Sequence, residues 1–99
     1  YRADYTCLPA NKMTEPRGLE ASVVGRCCES GDIIQEHVLL PASIGRGDIV
    51  AVCTTGAYNY SMASHYNRLA KPPVVMLRRS ASYVAVRRES LSDLCRNDV

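Results

Sequence analysis

Glycine and proline punctuate the first half of this chain at short intervals, at Pro9, Pro16, Gly18, Gly25, Gly31, Pro41, Gly45 and Gly47. The runs between them are strand length rather than helix length, which steers the chain away from any architecture built on long helices. Residues 1–18 are irregular and read as an entering segment or linker. From Leu19 the pattern turns to strands, giving a β domain over residues 19–99. Ala21 to Gly25 forms one strand and Asp32 to Leu40 the next, with Pro41 ending the run. Gly45 to Asp48 is a turn, and the unbroken apolar run Ile49 to Cys53 after it predicts a strand buried on both faces. The segment 58–67 lacks alternation and is expected to be a helical turn or ordered loop, closed by Pro72 and Pro73. Val74 to Leu77 and Tyr83 to Val86 read as two arms of a hairpin whose connection lacks Asn-Gly or Asp-Gly. Ser90 is the expected N-cap of a short helix over Leu91 to Cys95, with Asp93 favouring its positive start. The fold class is mostly β, a barrel- or sandwich-like domain with short helices and no internal repeat.

Composition narrows the function classes. The 99 residues are 46% hydrophobic but include no Trp or Phe, so the core rests on Val, Leu, Ile, Ala and Tyr. The formal charge of +2 is scattered, with Arg78-Arg79 and Arg87-Arg88 as the close basic pairs, which argues against nucleic-acid binding. No apolar run approaches the roughly 20 residues of a membrane helix. The sequence does not begin with Met and is read as cut from something longer. Its five cysteines, Cys7, Cys27, Cys28, Cys53 and Cys95, are odd in number and show no Cys-x-x-Cys spacing. A reducing compartment suits them, and the vicinal Cys27 and Cys28 would strain to bridge each other.

The chemistry concentrates in residues 26–32, Arg-Cys-Cys-Glu-Ser-Gly-Asp, where a thiol, a carboxylate and a hydroxyl leave one bend. Gly31 is expected to permit a positive φ there. The Cys28 thiol can donate a proton to a carbanion, and Glu29 can hold an ammonium group. Against this stands the plainer reading of an inert packed Cys beside a solvated Glu. No metal is expected, since His37 and His65 stand at no recognised ligand spacing. A second polar cluster opens with Gly56-Ala57-Tyr58, whose phenol can donate to a phosphate or carboxylate. His65 and Tyr66 read as scaffold.

Cys28-Glu29-Ser30-Gly31-Asp32, Gly56-Ala57-Tyr58 with Ser61 to Ser64 and Tyr66-Asn67, Arg68-x-x-Lys71-Pro72 and Arg87-Arg88-Glu89-Ser90 together resemble the C-terminal β domain of the diaminopimelate decarboxylase family. That family lies within the alanine racemase and ornithine decarboxylase-like group of pyridoxal 5′-phosphate enzymes. The resemblance runs from Tyr1 to Leu94. It implies a β domain detached from an N-terminal (β/α)8 barrel, a homodimeric enzyme of the cytoplasm or an organellar stroma, and conversion of meso-2,6-diaminopimelate to L-lysine and carbon dioxide. It further implies Cys28 as the proton donor to the partner subunit's site, and Glu29, Tyr58 and Tyr1 as substrate contacts. Tyr58 would also touch the cofactor phosphate. The lysine that binds the cofactor is not among these residues, because Lys12 and Lys71 stand in the wrong context. The fragment alone is therefore expected to be inactive. Cys28 rather than Cys27 takes the role because it abuts Glu29. Ornithine, arginine or carboxynorspermidine decarboxylases of the same fold are alternatives, disfavoured by Glu29-Ser30, and a non-catalytic oligomerisation module is a further one.

Overall fold

A computed structural model describes residues 3–99, so the predicted substrate contact Tyr1 lies outside the described residues. The chain is built mostly from strands, with one short α-helix, and divides into two compact units, Tyr1–Ser61 and Met62–Val99.

The first unit rests on an antiparallel pair, β2 (Arg17–Val24) and β3 (Ile33–Pro41). Ala21 and Val23 of β2 and Val38 and Leu40 of β3 turn inward at alternate positions, as a sheet with one packed face requires. The alternation in β3 is reset by a bulge. Ala21 pairs with Val38 but Val23 pairs with Gln35, so Glu36 and His37 together face Ser22, and His37 takes a φ of 56°. The reset keeps the charged Glu36 outside and leaves Gln35 half-buried, where its Oε1 accepts the Tyr5 N–H at 2.8 Å. His37 itself is exposed, and its Nδ1 lies 2.9 Å from Glu20 Oε1 across the pair, which raises its pKa.

A second antiparallel pair joins β1 (Cys7–Pro9) to β4 (Val50–Val52), with Cys7 opposite Val52. Cys7, Val38 and Leu40 form the buried core, and Tyr5, Ala21, Val23, Ile44, Val50 and Val52 pack against it. Pro9 and Pro41 are fully buried and sit at strand ends, where a missing N–H costs the ladder least. The expectation of a strand buried on both faces over 49–53 is not met. β4 has three residues, pairs on one side, leaves Ala51 exposed, and is preceded by an exposed Ile49. The turn before it is tightly organised. Asp48 accepts from Asn11 at 2.8 Å and from the Gly45 N–H at 2.8 Å and lies 2.9 Å from Lys12 Nζ, while Gly47 supplies a φ of 95°.

In the second unit β5 (Val74–Arg78) and β6 (Ala81–Val86) form the predicted hairpin. Its turn is Arg79-Ser80, with φ of 49° and 62°, so a two-residue turn of the I′ kind forms without glycine or asparagine. Helix α1 (Leu91–Leu94) begins at the expected Ser90. Ser90 Oγ accepts the Asp93 N–H at 3.2 Å and Asp93 Oδ2 accepts the Ser90 N–H at 2.7 Å, a reciprocal capping box. Arg87 grips the same carboxylate through both nitrogens, at 2.6 and 2.9 Å, and with the Ser90 bonds holds Asp93 far below the usual carboxylate range. The segment 58–67 is turns followed by a single 3-10 turn, Tyr66–Arg68, in line with the sequence reading. His65 Nε2 lies 2.7 Å from Glu89 Oε2, the oxygen that also accepts the Lys71 N–H at 2.8 Å.

Candidate functional site

Residues 25–32 are the tip of the β2–β3 hairpin. The Gly25 N–H donates to the Asp32 carbonyl at 2.9 Å and closes the neck, and the Cys27 N–H donates to Asp32 Oδ2 at 2.7 Å. A Cβ on Gly25 would lie 2.0 Å from Asp32 Oδ2, so only glycine lets this carboxylate fold over the neck. Past Cys27 the chain reverses sharply. The Glu29 N–H donates to the Cys27 carbonyl at 2.8 Å, an i to i+2 bond that places Cys28 at the apex of a γ-turn with ordinary negative φ. Glu29 then folds back, its Oε1 accepting the Gly31 N–H at 2.8 Å, while the Asp32 N–H donates to the Glu29 carbonyl at 3.2 Å.

The expectation of a positive φ at Gly31 is corrected here, because Gly47 is the glycine that adopts one among the described residues. A Cβ at Gly31 would lie 2.9 Å from Glu29 Oε2, the movable end of an exposed side chain that would have to shift. Asp32 and Gly25 were read from the sequence only as motif and strand end, yet they set the geometry of the tip. Their signal was the pairing of a side-chain-free residue just before the motif with the short carboxylate that ends it.

Exposure divides the two vicinal thiols. Cys28 is exposed at the apex, whereas Cys27 is half-buried beneath it, and burial followed by the facing Asp32 carboxylate pushes the Cys27 thiol pKa up. Cys27 is therefore held protonated at neutral pH. All five cysteines are thiols rather than disulfides. Among the described residues no group of His, Cys, Asp and Glu has the make-up of a metal site.

Tyr58 lies on the turn that follows β4 and is 70% exposed. The Asn59 N–H donates to the Ala57 carbonyl at 2.9 Å, so Tyr58 too is the apex of an i to i+2 turn, but with a φ of 69°. This is the rare, strained hand of the γ-turn, held in place by Ser61 Oγ on the Tyr58 carbonyl at 3.0 Å and by Asn59 Nδ2 on the Tyr5 hydroxyl at 3.1 Å. Cys28 and Glu29 thus share one tip, and Tyr58 stands on a separate turn of the same unit.

Residues 1–56 match the sequence family described as the pyridoxal-dependent decarboxylase, C-terminal sheet domain. The chain belongs to that family. The family match takes in the whole Cys28 tip and ends two residues before Tyr58. Relatives extend it: the chain is 39% identical over its full length to a diaminopimelate decarboxylase of Bacillus subtilis, of which it covers 22%. It is 44% identical over its full length to that of Halalkalibacterium halodurans, again covering 22%, and 43% identical over 99% of its length to that of Staphylococcus aureus, covering 23%. The chain therefore spans about a fifth of the length of these decarboxylases. A solved diaminopimelate decarboxylase from M. jannaschi matches all of this chain and 22% of its own, with a TM-score of 0.89 and 27% identity. The Cys28 thiol and the Glu29 carboxylate are carried on adjacent residues at one hairpin tip.

Proposed function

We propose that this chain is the sheet portion of a diaminopimelate decarboxylase, which removes carbon dioxide from meso-2,6-diaminopimelate to give L-lysine. The observation that carries the reading is the tip: an exposed Cys28 at a turn apex, immediately followed by a Glu29 carboxylate whose Oε1 is the atom bonded to the Gly31 N–H. Diaminopimelate decarboxylases at 39–44% identity across the chain support it.

In this reading Cys28 delivers the proton that replaces the departing carboxylate. Its thiol gives up the hydrogen from Sγ and regains one from solvent, which its exposure permits. Glu29 takes the distal ammonium of the substrate. Its carboxylate keeps lone pairs beyond the one used by Gly31, and a charge-assisted bond there favours a substrate with a second amino-acid end over a plain diamine. Tyr58 directs its phenol at a phosphate oxygen and at the substrate, and Tyr1 contacts the substrate carboxylate.

Pyridoxal 5′-phosphate, when bound, supplies the electron withdrawal that makes loss of carbon dioxide feasible. The residues present fit a peripheral contact to it, since an exposed phenol on a rigid turn suits a phosphate, but they do not fit its anchoring lysine. Lys12 Nζ is engaged by Asp48 at 2.9 Å and by the Ser43 carbonyl at 2.7 Å. The anchoring lysine and the rest of the site then come from a barrel domain, and Cys28 and Glu29 serve the site of the second subunit of a cytoplasmic homodimer. No helix of the described chain is long and apolar enough to cross a membrane.

The test is Cys28→Ala in the full-length protein. Turnover of meso-diaminopimelate should fall on the order of 100-fold or more while the cofactor absorbance band is retained, the scale expected for loss of a general acid. Undiminished turnover rejects the proton-donor role. Glu29→Gln should raise KM for diaminopimelate by about tenfold, and an enzyme that prefers ornithine over diaminopimelate would overturn the substrate assignment.

A further inference from the structure

The decarboxylase reading uses one thiol of the tip and leaves the other, Cys27, without a task. We propose that Cys27 and Cys28 together form a chelating dithiol site for trivalent arsenicals, the thiophilic metalloid species that bind two sulfurs at once.

The backbone at this pair is fixed on both sides. The Cys27 N–H is held by Asp32 Oδ2 at 2.7 Å and its carbonyl by the Glu29 N–H at 2.8 Å, so the pair sits on a pinned backbone and the two thiols come from adjacent residues. Direct oxidation to a disulfide is a poor outcome for this geometry. Adjacent Cα atoms stand about 3.8 Å apart, inside the roughly 4.4 Å lower limit for an unstrained disulfide. Inserting a third atom between the sulfurs enlarges the ring and removes that constraint. The site is also reachable, because Cys28 is exposed and Cys27 half-buried, unlike Cys7, which is buried in the core.

The step balances without a redox partner. The hydrated arsenical, R–As(OH)2, loses two hydroxyls as its arsenic forms bonds to Sγ of Cys27 and Sγ of Cys28. The two S–H protons leave with those hydroxyls as two molecules of water, and arsenic stays trivalent.

Cys7 and Cys53 supply the internal rival. They are near neighbours, since Cys53 contributes to raising the pKa of Cys7 and its N–H donates to the Thr6 carbonyl at 2.8 Å. The experiment is titration of the reduced, folded full-length protein with phenylarsine oxide, read by native mass spectrometry and by peptide mapping of the adduct. A single adduct mapping to residues 27–28 is expected, resistant to glutathione and removed by 2,3-dimercaptopropanol. Cys27→Ser and Cys28→Ser should each weaken it on the order of 100-fold, the scale of losing one arm of a two-point attachment, while Cys7→Ser and Cys53→Ser leave it unchanged. Mapping on the unsubstituted protein keeps the test independent of any folding defect in the variants. An adduct that maps elsewhere, that persists in Cys27→Ser or Cys28→Ser, or that never forms overturns the proposal. Because turnover is not the readout, failure here and failure of the decarboxylase reading are separate results.

Discussion

Tyr58 keeps a backbone conformation that an aromatic residue rarely adopts, at a φ of 69°, and such a position costs roughly 1–3 kcal/mol wherever it is found. Strain kept at an exposed phenol points to a use for that phenol. Replacing Tyr58 with Gly should therefore raise the melting temperature of the protein while lowering its retention of pyridoxal phosphate. Tyr58→Phe should lower retention with no gain in stability. Calorimetry and cofactor absorbance after dialysis check both; a Gly variant that melts lower shows that the turn is not strained. Gly25 and Asp32 act as one device, because the missing Cβ admits the carboxylate that holds Cys27. Gly25→Ala and Asp32→Ala should each destabilise by about 1 kcal/mol, the worth of one hydrogen bond, and the double variant should cost little more than either single. Strict additivity in denaturant titrations would show that they work independently. This cooperation was not legible in the sequence. The motif announced itself by its polarity, but that Asp32 reaches the Cys27 N–H and Glu29 the Gly31 N–H depends on where the neck closes.

The elements follow their sequence signals unevenly, for identifiable reasons. The β5–β6 hairpin was legible from two apolar runs, yet its Arg79-Ser80 turn was not, because both residues accept the left-handed region only under the demand of the flanking strands. The bulge at His37 was likewise hidden, since the run Ile33 to Leu40 reads as one uninterrupted strand until its partner is known. The run over 49–53 misled in the other direction: continuous apolar character predicted burial on both faces, but the strand is short and pairs only with β1. The turn over 45–48 carries a pH dependence. Asn11, Lys12 and the Gly45 N–H hold the Asp48 carboxyl at about 2, below its ordinary value of 3.8. A carboxyl lowered in the folded state stabilises above its unfolded pKa and loses that contribution as pH falls through the folded one. Stability should therefore decline between about pH 4 and pH 2, and Asp48→Asn should flatten that part of the profile. Thermal melts across this range decide it; an unchanged slope in the variant places the acid sensitivity elsewhere.

Across the whole molecule, protection is concentrated in one place. The buried core consists of Cys7, Val38 and Leu40, all in the first unit, whereas every residue of β6 is exposed and Leu77 of β5 is 81% exposed. Amide hydrogen exchange on this chain should accordingly be slowest at Val38 to Leu40 and far faster along Ala81 to Val86, because local opening follows buried apolar contact. Equal protection of the two hairpins would contradict this ordering. The mostly β class was readable from the spacing of Gly and Pro, while this unequal depth was not, since composition reports how much apolar surface exists and not which strands cover it. The β2–β3 hairpin joins both extremes in one element. Its far end is locked into the core at Leu40 and Pro41, and its tip is held by an internal scaffold of Gly25, Asp32 and turn amides. Chemistry and stability are thereby separable along a single ribbon. At Ser30, exposed and outside those bonds, selection or a protein engineer can exchange the side chain without rebuilding what lies beneath.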